Sequence, residues 1–283
     1  MNLFFHTLLP KKLLSAAMYR LSRVRQPLIK NLSIRLFMQV TGANFTDAER
    51  KSPDDYHSLV DFFTRELSAD ARPIDGQNDP HLIVSPVDGR VAHAGDICQG
   101  QIFQIKGHTY ALADLIGRDY VKDYQDGQAV TIYLAPFDYH RIHMPMNGQL
   151  LRATYLPGEL NSVSIDLLDK IAGLFARNER VVLEFMGDDK QPFLMVLVGA
   201  VNVGSIETVF HGEICPNREN APIALPCCAQ QLNKGEELGR FNLGSTVIFI
   251  TPNNHHRWQL QAQQKVRMGQ SIARLQEKSY GSQ

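Results

Sequence analysis

Leu243-Gly244-Ser245-Thr246-Val247-Ile248-Phe249-Ile250 is the stretch on which the fold reading turns. A glycine turn feeds a short apolar run. A run of this length beside turn residues reads as a buried strand, because helices need more residues to form. The charged, glycine-rich segment Lys234-Gly235-Glu236-Glu237-Leu238-Gly239-Arg240 ahead of it reads as a turn. The same short β-like pattern begins at about residue 81. It recurs at His81–Val84, Arg90–Ala94, Gln101–Ile105, Val130–Ala135, Val181–Phe185 and Phe193–Val203, and it ends with Thr246–Thr251. Gly, Asp and Pro turns separate the runs, the arrangement of a β-sandwich or barrel. Two helical interludes are expected, near Ala111–Ile116 and Val163–Ala172.

The N-terminus follows another period. Pro10 and Pro27 divide it into two helical stretches, since proline is tolerated at helix starts and not inside. Leu13, Leu14, Ala17, Met18, Leu21 and Val24 form the apolar face of the first, with Arg25 intruding. Ile29, Leu32, Leu36 and Val40 form the stripe of the second, with Lys30 and Arg35 off it. A third helix has a start signal in Ser52 as N-cap, Pro53 at its first position and Asp55 completing a capping box. Its core face is Tyr56, Leu59, Val60, Phe63 and Leu67. The expected class is therefore α+β and β-rich. A barrel-like or sandwich β core over residues 76–283 carries an N-terminal region of amphipathic helices over 1–75.

Composition narrows the function. The 283 residues, 44% hydrophobic, suffice for a sizeable core. Net charge is zero, yet residues 1–46 hold seven basic residues and no acid. Such a basic arm suits an anionic partner. Of the four cysteines two are adjacent and none forms C-x-x-C, which excludes a zinc ribbon or a disulfide scaffold and points to reduced thiols in the cytosol. No apolar run reaches the roughly 18 residues of a spanning helix, and the N-terminus lacks the order of a signal peptide. Nucleotide-binding glycine motifs are absent, and no nucleic-acid partner is expected.

The Gly244–Ser245 bond carries chemistry. With no Cβ at Gly244 the bond is open to close approach. Attack by the Ser245 hydroxyl on the Gly244 carbonyl turns the peptide into an ester. Elimination and hydrolysis then leave a pyruvoyl group, a built-in ketone that serves as an electron sink for amine chemistry. The serine needs a base, and Asp138-Tyr139-His140-Arg141-Ile142-His143-Met144-Pro145 offers two imidazoles. In a strand His140 and His143 face opposite sides; in a turn both reach one site. Asp88, before Gly89, reads by itself as a turn residue. His255-His256 after Pro252-Asn253-Asn254 reads as a solvated loop, and Lys106-Gly107 as a hairpin.

Eight segments, in order, resemble the bacterial phosphatidylserine decarboxylase proenzymes. They are Phe62-Phe63-Thr64-Arg65-Glu66-Leu67, Ser85-Pro86-Val87-Asp88-Gly89-Arg90, Lys106-Gly107 with Tyr110 and Leu112, and Asp138 to Pro145. The others are Phe175-Ala176-Arg177-Asn178-Glu179-Arg180, Val201-Asn202-Val203-Gly204-Ser205-Ile206, Leu243-Gly244-Ser245-Thr246 and Met268-Gly269-Gln270. The resemblance implies self-cleavage between Gly244 and Ser245, a pyruvoyl cofactor made from Ser245, and decarboxylation of phosphatidylserine to phosphatidylethanolamine through a Schiff base. It assigns Asp88, His143 and Ser245 to self-cleavage and His140 to proton transfer in decarboxylation. It implies residues 1–244 and 245–283 held together as a heterodimer. It also implies peripheral attachment at the cytoplasmic face of the bacterial membrane, where the basic segment from Met1 to Phe45 meets anionic lipid. No metal is expected. The alternatives are a zinc hydrolase with His140, His143 and Asp88 as ligands, and a non-enzymatic membrane-binding protein.

Overall fold

Ser245–Thr251 is a strand, and it lies in the middle of the largest sheet. The structure, a computed structural model, describes residues 11–103, 109–161, 173–200, 205–214, 221–227, 229–242, 245–252 and 256–275. Its strands in chain order are β1 (Leu82–Val84), β2 (Gly89–Asp96), β3 (Gln101–Phe103), β4 (Thr109–Ala111), β5 (Gln128–Leu134), β6 (Arg141–His143), β7 (Gly148–Leu156), β8 (Arg180–Gly187) and β9 (Pro192–Gly199). They continue with β10 (Ile206–Thr208), β11 (Gly212–Ile214), β12 (Ile223–Leu225), β13 (Gln231–Leu232), β14 (Glu237–Phe241), β15 (Ser245–Thr251), β16 (His256–Trp258), β17 (Lys265–Val266) and β18 (Ser271–Leu275). The α-helices are α1 (Lys11–Ser22), α2 (Pro27–Thr41), α3 (Leu59–Phe63), α4 (Leu112–Ile116), α5 (Arg118–Tyr124) and α6 (Leu174–Arg177).

The main sheet runs β12-β7-β8-β9-β15-β5-β2-β17, with β13 also on β7. Its ends do not pair among the described residues, so the sheet is open and the sandwich, not the barrel, is realised. Val247 and Phe249 face a core shared with Ile142, Leu238 and Phe241 of the β11-β10-β14-β6 sheet and with Met144, just beyond β6. Ile248 and Ile250 face the opposite core, with Leu112, Leu115, Tyr124 and Phe175 from α4, α5 and α6. Burial on both faces explains why this strand reads as an unbroken apolar run rather than an alternating one.

Several local expectations need correction. The third helix is two pieces: a 3₁₀ turn at Pro53–Asp55, with the Ser52–Asp55 capping box intact, and then α3. Ser58 accepts from the Asp61 amide, and Asp61 accepts from the His57 amide. These local bonds hold Tyr56 and Ser58 extended and restart the helix. The glycine-rich turn is confined to residues 234–236, and Glu237–Phe241 continues as β14. His256 is a buried strand residue in β16, not a solvated loop. The strand Gly148–Leu156 and the helix Arg118–Tyr124 were not anticipated. The interlude at 163–172, Lys106-Gly107, Leu243 and Gly244 lie outside the described residues.

The helices of the N-terminal region have their own small core of Ile34, Tyr56, Leu59 and Phe62, with Phe37 and Phe45 packed on it. In α2 the buried positions are Lys30 and Ile34. The stripe Ile29, Leu32, Leu36 and Val40 exists but faces outward, joined by Leu28 at 78% exposure. The Lys30 ammonium is accommodated inward by the Pro53 carbonyl.

Candidate active site

Ser245 opens β15 and is fully buried, opposite Leu134 of β5 and Gly199 of β9. Its Oγ lies 3.4 Å from His140 Nδ1. His140 comes from the short connection between β5 and β6. Asp138 shapes that connection: its carboxylate accepts from the Ala135 amide at 2.7 Å, while its own amide donates to the Ala135 carbonyl at 2.9 Å. His140 Nε2 is 3.0 Å from the same carbonyl. A carbonyl only accepts, so Nε2 carries the proton and a neutral His140 turns the lone pair of Nδ1 toward Ser245. Phe63 of α3 stacks on the imidazole with ring centroids 3.9 Å apart. Burial, helped by the nearby charge of Arg65, drives the His140 pKa down to about 3. The ring is therefore neutral at ordinary pH and able to take a proton.

His143, at the end of β6, points elsewhere. Its Nδ1 donates to the Gly235 carbonyl at 2.8 Å, and its Nε2 accepts from the Tyr139 hydroxyl at 2.9 Å. Burial lowers its pKa as well. Asp88 accepts from the Met268 amide at 2.8 Å and from the Arg72 guanidinium, whose Nε is 2.9 Å away. Arg72 also reaches Asp47 at 2.9 Å. Gly89 is required beside it, because a Cβ there would lie 2.4 Å from the Tyr133 carbonyl oxygen. The backbone does tie the two segments, with the His143 amide donating to the Pro86 carbonyl at 2.8 Å.

Of the four expected side chains, the structure thus brings Ser245 and His140 together. It holds Asp88 on Arg72 and His143 on Tyr139 and Gly235, so no Asp88–His143–Ser245 chain of hydrogen bonds is formed. The zinc-ligand set of His140, His143 and Asp88 is not assembled either, for each of these side chains is turned to a different partner. The sequence does not single out Arg72 or Tyr139, because their roles arise from contacts across the fold, although Tyr139 stands between Asp138 and His140; Phe63, expected only as a core residue of the third helix, also stacks on His140.

A cavity of about 430 Å³ adjoins this arrangement, with Arg65, Asp88, Ala135 and Tyr139 in its wall. Half-buried Arg90 and exposed Lys265 and Arg267 also line it. Burial raises the Asp138 carboxyl there to about 6. The cavity thus presents cationic groups near a buried hydroxyl and a neutral imidazole.

The sequence profile of the family described as phosphatidylserine decarboxylase matches residues 59–274. The chain belongs to the phosphatidylserine decarboxylase family. A second profile, described as PSD, matches residues 2–42. The phosphatidylserine decarboxylase proenzyme of Nitrosococcus oceani is 46% identical over 97% of this chain and 91% of its own length. That of Shewanella amazonensis is 41% identical over 95% of this chain and 96% of its own. That of Azotobacter vinelandii is 42% identical over 94% of each. Membership makes the chain a decarboxylase, an enzyme of the carboxy-lyase class, in accord with the resemblance carried by its motifs.

Proposed function

We propose that this chain matures by cutting itself between Gly244 and Ser245 and then decarboxylates phosphatidylserine to phosphatidylethanolamine. The observation that carries the reading is the buried Ser245 hydroxyl at the head of a central strand, with a neutral imidazole 3.4 Å away. The names of the relatives, all proenzymes, support a processing step.

In maturation a base takes the Ser245 proton and the oxygen attacks the Gly244 carbonyl. The C–N bond breaks and an ester forms. Loss of the Ser245 α-proton expels the acyl oxygen as the new carboxylate of residue 244. Water hydrolyses the dehydroalanine that remains, releasing ammonia and leaving the pyruvoyl ketone at position 245. The position fits such a group: it is shielded from water, backed by two strands and served by His140. When formed, the pyruvoyl group supplies a carbonyl that takes up the electrons of the breaking carbon–carbon bond.

Asp88 and His143 are proposed for the self-cleavage, with His140 returning a proton during decarboxylation. The contact of His140 with Ser245 supports its share. For Asp88 and His143 to act on Ser245, the Gly235 carbonyl and the Tyr139 hydroxyl must first release the His143 ring. A second reading, with His140 as the base in both stages, is favoured by that same contact. The cationic lining from Arg90, Lys265 and Arg267 suits an anionic headgroup. The outward apolar stripe of α2 and the basic composition of residues 1–46 suit the cytoplasmic membrane surface.

Intact-mass analysis tests the central claim. Wild type is expected as two polypeptides, 1–244 and 245–283, the second with a carbonyl-bearing N-terminus. Ser245→Ala is expected as one chain without decarboxylase activity. A wild-type protein of full mass, or a smaller fragment with a free serine amine, overturns pyruvoyl formation.

A further inference from the structure

Four residues form one row across the main sheet: Glu179, Gly199, Ser245 and Leu134. Ser245 pairs with both Gly199 and Leu134, and Glu179 extends the Arg180–Val198 pairing by one position, with the Gly199 amide donating to its carbonyl at 2.9 Å. Directly opposed residues in such a row share a face, here the face of Val181, Leu197 and Val247. The Glu179 side chain lies over Gly199, the residue between it and Ser245 in the row. A Cβ at Gly199 would sit 3.1 Å from its Cγ and 3.2 Å from its Oε1, so the glycine makes room for the carboxyl. Glu179 is 3% exposed, and its Oε2 accepts from the Tyr155 hydroxyl at 3.1 Å.

We infer that Glu179 is an acid–base residue of the Ser245 centre, exchanging protons with the amine of the serine headgroup as it condenses with the carbonyl at position 245. This rests on the proposed function above. The incoming headgroup is an ammonium, and it must lose a proton before its nitrogen can bond to the carbonyl carbon. The Glu179 carboxylate accepts that proton. As the nitrogen bonds to the carbonyl carbon, a second nitrogen proton passes to the oxygen; the carboxylic acid returns the first, and the oxygen leaves as water. The C=O bond is replaced by a protonated C=N bond, and no external oxidant or reductant is needed.

The electrostatics suit this exchange. Burial raises the Glu179 carboxyl to about 7, where acid and carboxylate are both populated, with the Tyr155 bond pulling the other way. Among the described residues the titratable side chain that contacts the carboxyl is Tyr155 from β7, and Ser245 follows Gly199 in the row. Neighbouring Arg180 points to the other side, donating to the carbonyls of Leu115 and Asp114. Glu159 is engaged at the surface by Arg177. No cation among these pairs with the Glu179 carboxyl.

Glu179→Gln keeps the shape and the Tyr155 contact but cannot exchange the proton. Gly199→Ala keeps the carboxyl and displaces it. Two readouts separate the ideas. The first is cleavage at Gly244–Ser245 by intact mass. Cleavage is expected in wild type and in both variants, and an uncleaved wild type overturns the proposed function rather than this inference. The second is the rate at which cyanoborohydride traps phosphatidylserine on the 245–283 fragment. That rate is expected to fall at least ten-fold in both variants, and wild type should show an inflection near pH 7 that Glu179→Gln lacks. Trapping by cleaved Glu179→Gln at the wild-type rate, with the inflection retained, overturns the inference. If Glu179→Gln does not fold, the wild-type profile and Gly199→Ala decide: a flat profile, or wild-type trapping in Gly199→Ala, rejects it.

Discussion

Two imidazoles three residues apart are in different chemical situations, and that difference is measurable. His140 offers an unprotonated nitrogen to Ser245, whereas both ring nitrogens of His143 are already occupied. His140→Ala is expected to cleave but to lose decarboxylation by about 10²–10⁴-fold, the usual contribution of a positioned proton donor. His143→Ala and Asp88→Asn are expected to block or greatly slow cleavage on gels. Normal cleavage in His143→Ala with none in His140→Ala would hand both stages to His140. The same residues set an acid stability profile. The folded state keeps His140 neutral down to about pH 3, while unfolded histidine binds a proton near 6.5. Between those values the unfolded chain holds more protons, so this group adds stability as pH rises. Glu179, raised to about 7 from 4.5, does the reverse: the folded chain holds more protons and stability falls as pH rises from 4.5 to 7. Against wild type, the melting temperature of Glu179→Gln should rise more with pH in that window. That of His140→Asn should rise less below 6.5. Parallel curves would show that neither group titrates as its burial requires. The residue types Ser245, His140, His143 and Asp88 were legible in the sequence, but their pairing was not. A hydrogen-bond partner such as the Gly235 carbonyl or Arg72 is set by tertiary approach, which local pattern does not encode.

At the scale of elements, β15 gives the reason to expect that a chain cut as proposed stays whole. It is bonded along its length to β5 on one side and β9 on the other, and all seven of its residues are buried. β17 and β18 further tie the C-terminal part to β2 and β1. Each fully buried Val, Ile or Phe contributes about 1.5–3 kcal/mol, and Val247, Ile248, Phe249 and Ile250 are all at 0% exposure. The fragments 1–244 and 245–283 are therefore expected to co-elute on native size exclusion and to part only in denaturant. Separation under native conditions would contradict this packing. Strands buried on both faces, β9 and β15, were readable because they are continuous apolar runs. β7 was not: its buried and exposed positions alternate and then slip at a bulge between Leu150 and Arg152. β14 was hidden by Gly239, which reads as a turn. It is needed because a Cβ there would lie 2.2 Å from the Glu207 carbonyl oxygen of the adjacent strand.

Across the whole molecule, the unpartnered surface lies on the N-terminal helices. Amphipathic helices normally turn their apolar stripe inward, yet in α2 Leu28, Leu32, Leu36 and Val40 are 57–78% exposed while Lys30 is buried. Among the described residues no helix is long and apolar enough to cross a membrane. An outward stripe flanked by basic residues fits a helix lying in the lipid interface. Three residues beyond the end of α2, Asn44 lines the cavity beside the candidate active site, so a membrane met by α2 would lie close to the cavity proposed for the lipid headgroup. Exposed Phe137, also on that cavity, adds a second apolar point. Two attractions then act together: burial of the leucines, and about 1 kcal/mol for each basic residue near an anionic surface. Their separation can be read in sedimentation with vesicles of mixed phosphatidylglycerol and phosphatidylcholine. Replacing Lys11, Lys12, Arg20 and Arg23 by Gln should weaken binding at low salt and leave a salt-insensitive remainder. Replacing Leu28, Leu32, Leu36 and Val40 by Gln should remove that remainder and leave binding that high salt abolishes. Cleavage at Ser245 should be normal in both, because the substitutions leave Ser245 and His140 unchanged. Unchanged binding in the leucine variant would mean that the stripe is covered by something other than lipid.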